Sequence, residues 1–65
     1  MDFGEKADIR LNHWLKHNET HIAEYEAFVE ELEKEGWHAC ADQIRELITF
    51  SRKGNDCLRK AIEVL

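Results

Sequence analysis

Three histidines recur at every fourth position in the first third of the chain, at His13, His17 and His21. On an α-helix each residue is rotated by about 100° from the last, so side chains four apart lie on nearly the same side. Glu24 extends this face with a carboxylate. Imidazole nitrogens and carboxylate oxygens suit zinc, nickel, cobalt or copper. The pattern therefore predicts a transition-metal site with His17, His21 and Glu24 as ligands, which His13 or Cys57 could complete.

A structural interpretation competes with the metal site. Buried amides and imidazoles can hydrogen-bond between helices and fix their register, at some cost in stability. Asn18, Ser51 and Asn55 interrupt the otherwise apolar stripes of the two predicted helices. They would form a polar core layer together with the histidines. A pH-responsive bundle is a third hypothesis, because free histidine titrates near pH 6.5.

The elements that must position these residues are two long helices. Heptad-spaced apolar residues predict helix 1 over about 5–35, and Asp2 with Glu5 has the spacing of a capping box. Gly36 stands where a helix-ending glycine belongs. Helix 2 is predicted over about 37–65, with a possible break at 54–55. We favour one continuous helix in which Gly54 permits close approach, because the heptad register continues beyond it.

These helices predict an all-α fold, a long antiparallel two-helix hairpin forming one domain over residues 1–65. A chain of 65 residues has difficulty burying a sufficient core alone. A lone hairpin would leave Trp14, Phe28, Leu47 and Phe50 exposed. Two hairpins packed as a four-helix bundle would cover them. We therefore expect a homodimer.

Composition narrows the functional classes. The net charge is −5 without a basic block, which argues against nucleic-acid binding. The chain is 43% hydrophobic and 35% charged, as expected of a folded domain without a membrane span. No secretory leader is visible, so a cytoplasmic location is expected. The only cysteines, Cys40 and Cys57, are too far apart on one helix for a disulfide. No nucleophile–base pair or phosphate-binding loop is evident, so we expect no enzymatic activity.

The spacing Leu11-x-His13-Trp14-x-x-His17-Asn18-x-x-His21-x-x-x-Tyr25, followed by Gly36 and Asn55, resembles a family of small prokaryotic helical proteins. Most are uncharacterised, and some are labelled as associated with nickel or cobalt transport. The resemblance covers most of the chain and is densest over residues 11–25. It implies a metal-linked role for the three histidines, with Asn18 and Asn55 at matching positions. Gly54 departs from the alanine expected there.

Two functions follow as expectations. The first is a small protein that binds a transition metal through the histidine cluster. The second is a homodimeric interaction or scaffold module, with a possible protein partner, whose His/Asn layer is purely structural.

Overall fold

The computed structural model describes residues 2–65 as two helices that pack against each other in an antiparallel hairpin. Helix α1 spans Phe3–Lys34 and helix α2 spans His38–Glu63. The hairpin is elongated, with extents of 51 × 16 × 11 Å. The predicted all-α hairpin is confirmed. Neither helix has an apolar stretch long enough to cross a lipid bilayer.

A side-chain cap starts α1. The backbone N–H of Glu5 donates a 2.8 Å hydrogen bond to Oδ1 of Asp2, which satisfies one of the amide groups left free at the start of a helix. Three residues separate donor and acceptor, as in the first half of a capping box. The cap therefore sets where α1 begins.

The turn between the helices depends on Gly36. Its φ of +85° lies in the left-handed region that side chains with a Cβ disfavour. The Trp37 N–H donates to the Leu32 carbonyl at 2.8 Å, and the Gly36 N–H donates to the Glu33 carbonyl at 3.1 Å. These two bonds are the Schellman arrangement. They end α1 and reverse the chain within three residues, Glu35 to Trp37.

Helix α2 passes through Gly54 and Asn55 without interruption. A Cβ added at Gly54 would meet no atom within 4 Å outside its own helical turn. The close approach that we expected at Gly54 is therefore not made within the hairpin.

The core lies along the seam between the two helices. Its buried apolar residues follow the heptad pattern on both sides, and they are Ile22, Val29, Leu32, Ala41 and Ile48. Tyr25 and Ile44 pack against this cluster while remaining partly exposed. Because the seam is one residue layer deep, most of the surface of each helix remains open to solvent or to a partner.

Candidate functional site

The histidine cluster lies on α1, beside the seam. The Nε2 atoms of His17 and His21 are 2.9 Å apart, and their rings meet edge to face with centroids 4.4 Å apart. His21 is half-buried, whereas His13 and His17 are exposed. The His13 ring stacks on that of His17 at a centroid distance of 6.1 Å. The helix thus brings two ring nitrogens together and adds a third imidazole behind them.

Glu24 contacts the opposite side of the His21 ring. Nδ1 of His21 and Oε2 of Glu24 are 3.3 Å apart. Tyr25 stacks on the same imidazole with ring centroids 6.1 Å apart. We predicted Glu24 as a metal ligand beside His21, but the structure places its carboxylate on the nitrogen that faces away from His17. Carboxylates in this position orient a ligating imidazole and increase its basicity.

These contacts define which nitrogen of His21 carries the proton. A carboxylate only accepts hydrogen bonds, so Nδ1–H of His21 donates to Glu24. In the neutral ring Nε2 then keeps its lone pair and accepts from Nε2–H of His17. Two imidazole nitrogens bound to one ion at about 2.0–2.1 Å would stand roughly 3 Å apart. The separation between His17 and His21 fits that requirement.

The remaining predicted ligands do not form a larger set. Within residues 2–65, no group of three or more His, Cys, Asp or Glu side chains is arranged to hold a metal ion. Cys57 is a free, exposed thiol on α2. Cys40 is exposed as well. The structure thus brings together two imidazole nitrogens, with a carboxylate on the far side of the second ring.

The predicted polar layer is unevenly buried. Asn55 is only 2% exposed, whereas Asn18 and Ser51 are half-buried. Oδ1 of Asn55 accepts no hydrogen bond from any group in the described chain. No hydrogen bond between Asn18 and Asn55 joins the two helices among residues 2–65. A buried carbonyl oxygen without a donor costs stability.

One side of the seam is lined by ion pairs that the sequence analysis did not predict. We call it the charged flank; it consists of Glu19, Glu26, Glu33, Arg45, Arg52 and Arg59. Residues on each helix are one heptad apart. The Glu–Arg oxygen–nitrogen distances are 3.2 Å for Glu19–Arg59, 3.1 Å for Glu26–Arg52 and 3.2 Å for Glu33–Arg45. The sequence signal for these ion pairs was the acidic residues beside the apolar heptad positions of α1 and the basic residues beside those of α2.

Glu33 has a second partner on α2. His38 Nδ1 lies 2.8 Å from Oε2 of Glu33, while Arg45 holds Oε1. The hydrogen bond from His38 and the positive charge of Arg45 lower the pKa of Glu33 below its ordinary value, against a smaller opposing effect of burial. His38 is exposed and makes this contact near the turn.

The other side of the seam is what we call the apolar flank, which consists of Trp14, His21, Phe28, Leu47 and Phe50. On α1, helical geometry places its residues opposite Glu19, Glu26 and Glu33. Trp14 is 48% exposed, Phe28 is 49% exposed and Phe50 is 66% exposed. None of these five side chains is a carboxylate, ammonium or guanidinium, although the Glu24 carboxylate contacts His21 and Arg10 lies near Trp14. His21 therefore connects the histidine cluster to an uncovered apolar surface.

The protein is thus a small antiparallel helical hairpin that carries the histidine cluster on α1. The chain belongs to the family described as "Domain of unknown function (DUF8180)", whose model matches residues 7–65. No curated protein and no solved structure matches the chain significantly.

Proposed function

We propose that this hairpin is a non-enzymatic protein that binds a divalent transition metal ion through Nε2 of His17 and Nε2 of His21. The main observation in support of this proposal is the 2.9 Å separation of these two nitrogen atoms. Nickel, zinc, cobalt and copper are the ions that such nitrogen donors suit. The carboxylate of Glu24 supports the assignment, because it favours the tautomer in which Nε2 of His21 keeps its lone pair. To ligate, His17 carries its proton on Nδ1 and no longer donates Nε2–H to His21.

Calorimetric titration of the metal-free, untagged protein with nickel, zinc, cobalt and copper tests this function. The wild type is expected to bind at least one of them, and the His17→Ala/His21→Ala double variant is expected to bind none. His38→Ala is the matched control, because His38 is an exposed histidine outside the cluster, and it should bind as the wild type does. Equal affinity in the double variant would reject the proposal.

A substitution at Glu24 tests the supporting carboxylate while leaving both proposed ligands in place. Glu24→Gln keeps the size of the side chain but removes its charge. Loss of such an outer partner typically lowers metal affinity by about 10–100-fold. Glu31→Gln is the control, since Glu31 is an exposed acid on the same helix. Unchanged affinity in Glu24→Gln would show that Glu24 plays no part in orienting His21.

A second candidate function is a homodimeric interaction module, which the apolar flank favours. Trp14, Phe28 and Phe50 are large side chains left uncovered on one side of the hairpin. Packing two such flanks together would give a four-helix bundle. Sedimentation across a range of concentrations tests this candidate, and a monomer at every concentration would exclude it. In a purely structural role, His21→Leu should preserve or raise the melting temperature without weakening the dimer.

A further inference from the structure

Among residues 2–65, Asn55 is the only polar residue that is almost wholly buried. It lies on α2 one heptad from Ile48 and one heptad from Ile62, where the pattern calls for an apolar side chain. Its Oδ1 accepts no hydrogen bond from any group in this part of the chain. A buried carbonyl oxygen without a donor is destabilising, so its presence in the seam calls for a donor from outside the hairpin.

Asn55 lines a groove on the charged flank. The groove has a volume of about 340 Å³ and lies between the two helices, on the side of the seam away from the histidine cluster. Two buried residues, Ile22 and Asn55, form its floor. Its walls are charged side chains, those of Glu19, Arg52, Asp56 and Arg59. The terminal torsion of an asparagine side chain is broad, so the amide can turn its oxygen toward a donor in the groove.

A second groove, one heptad along the seam, allows a comparison within the same chain. Its lining residues are Glu26, Val29, Glu30, Arg45, Ile48, Thr49 and Arg52. Every lining residue of the first groove has a counterpart seven positions away in the second. The floors differ, because Val29 and Ile48 make the second floor apolar, whereas the first contains the Asn55 amide. Of these two equivalent grooves, only the first therefore offers a buried hydrogen-bonding group.

The charges around this amide favour a neutral ligand. Arg59 contacts Glu19 at 3.2 Å and Asp56 at 3.1 Å. Arg52 contacts Glu26 at 3.1 Å. Both guanidinium groups are therefore already paired with carboxylates of their own chain. An anion or a cation in the groove would have to displace one of these partners, whereas a neutral molecule leaves all of the ion pairs in place.

We infer that this groove binds a small neutral molecule through a primary carboxamide. The oxygen of the Asn55 amide needs a donor, and its NH2 group supplies donors of its own. A primary carboxamide carries an N–H and a carbonyl oxygen along one edge. It can therefore donate to Oδ1 of Asn55 and accept from Nδ2 at the same time. Each guanidinium has five N–H donors, so Arg52 and Arg59 keep some of them for other acceptor atoms of the ligand.

Titration of the isotope-labelled protein with benzamide, followed by NMR, tests this site. The side-chain NH2 signal of Asn55 should shift and reach saturation, whereas those of the exposed Asn12 and Gln43 should not. N-methylbenzamide is the matched probe, because a trans secondary amide has its N–H and its carbonyl oxygen on opposite edges. It should cause no saturable shift at Asn55. Both probes share the aromatic ring, so binding elsewhere through the ring affects them alike.

Asn55→Leu should abolish the saturable benzamide shifts at the backbone amides of Ile22 and Arg59. This variant is expected to be more stable than the wild type, so a lost response reports lost binding rather than unfolding. Asn18→Leu makes the same change at a half-buried position of α1 and should keep the response. The inference is overturned by equal responses to the two probes, by a response that persists in Asn55→Leu, or by no saturable shift at all. A stronger response to acetate than to benzamide would assign the groove to anions and overturn it as well. None of these outcomes bears on the proposed metal site.

Discussion

Arg52 on α2 donates a 3.1 Å hydrogen bond from Nη2 to Oε1 of Glu26 on α1, in the middle of the charged flank. The hydrogen-bonded pair Glu19–Arg59 repeats this contact one heptad to one side, and the ion pair Glu33–Arg45 lies one heptad to the other. Each pair is about half exposed, so each contributes only about 0.2–1 kcal/mol on its own. Their shared heptad spacing matters more for register: displacing one helix by part of a heptad would separate all three pairs, whereas displacing it by a full heptad would form two new Glu–Arg pairs.

Reversing one charge of the central pair should destabilise the hairpin. Arg52→Glu places a carboxylate opposite that of Glu26 and should lower the free energy of unfolding by about 1 kcal/mol. The exchange Glu26→Arg/Arg52→Glu should recover most of that loss. Urea denaturation followed by circular dichroism measures both. Lys53→Glu makes the same charge change at the neighbouring exposed residue, and an equal loss there would show that net charge, not pairing, is responsible.

Shortening a buried side chain should lower the free energy of unfolding much more than shortening an exposed one. Ile48 is buried in the seam, and Ile48→Ala should lower the free energy of unfolding by about 2–4 kcal/mol through lost burial and a residual cavity. Ile9 is exposed, and Ile9→Ala should change it by no more than about 0.5 kcal/mol. Because so short a chain has little stability in reserve, Ile48→Ala is expected to remove the cooperative thermal transition. A similar melting temperature for both variants would contradict the seam as the core.

The two interior glycines should respond to alanine in opposite directions. Gly36→Ala forces a Cβ into a left-handed conformation and should destabilise the hairpin by about 1–2 kcal/mol. Gly54 is helical with open space around its missing Cβ, so Gly54→Ala should stabilise by about 0.5–1 kcal/mol. Thermal unfolding of the two variants at low protein concentration gives both values. Destabilisation by Gly54→Ala would mean that another chain approaches α2 at this point.

Replacing Asn55 by an apolar residue should stabilise the hairpin. Asn55→Leu keeps the approximate size of the side chain and removes a buried carbonyl oxygen that has no hydrogen-bond donor within residues 2–65. The free energy of unfolding should rise by about 1–2 kcal/mol. Asn18→Leu, at a half-buried position of the same predicted layer, should have a smaller effect. A loss of stability in Asn55→Leu alone would indicate that a bound molecule or partner chain satisfies the amide.

The contact between Glu33 and α2 should weaken in acid. His38 and Arg45 lower the folded-state pKa of Glu33, so the contribution of this carboxylate to stability is present above the unfolded-state pKa. It is lost as the pH falls through the depressed folded-state value, below the ordinary 4.5. Melting curves between about pH 6 and pH 3 should therefore show a smaller acid-induced decline for Glu33→Gln than for the wild type. Parallel curves would exclude Glu33 as the responsible group.

The helices and the turn were predictable because their signals are local. Heptad spacing, the Asp2 cap and Gly36 each act within a few residues. The charged flank needed positions on both helices to be considered together, because neither helix alone shows which glutamate meets which arginine. The contact of Glu24 with Nδ1 of His21, rather than with Nε2, depends on side-chain rotamers. Helical spacing places a residue on a face but does not choose which of its atoms meets a neighbour.

The division of the hairpin into a charged flank and an apolar flank limits how many copies can associate through its long sides. A protein with two different association surfaces can form an open filament. A protein that associates through one self-complementary surface forms a closed dimer. Here Arg45, Arg52 and Arg59 are engaged by glutamates of their own chain. The side that carries Trp14 and Phe28 is open, and large apolar side chains are also exposed at both ends of the hairpin, at Trp37 beside the turn and at Phe3, Val64 and Leu65 at the open end. An assembly that pairs the apolar flank with itself would be closed, whereas one that also used the ends of the hairpin could grow.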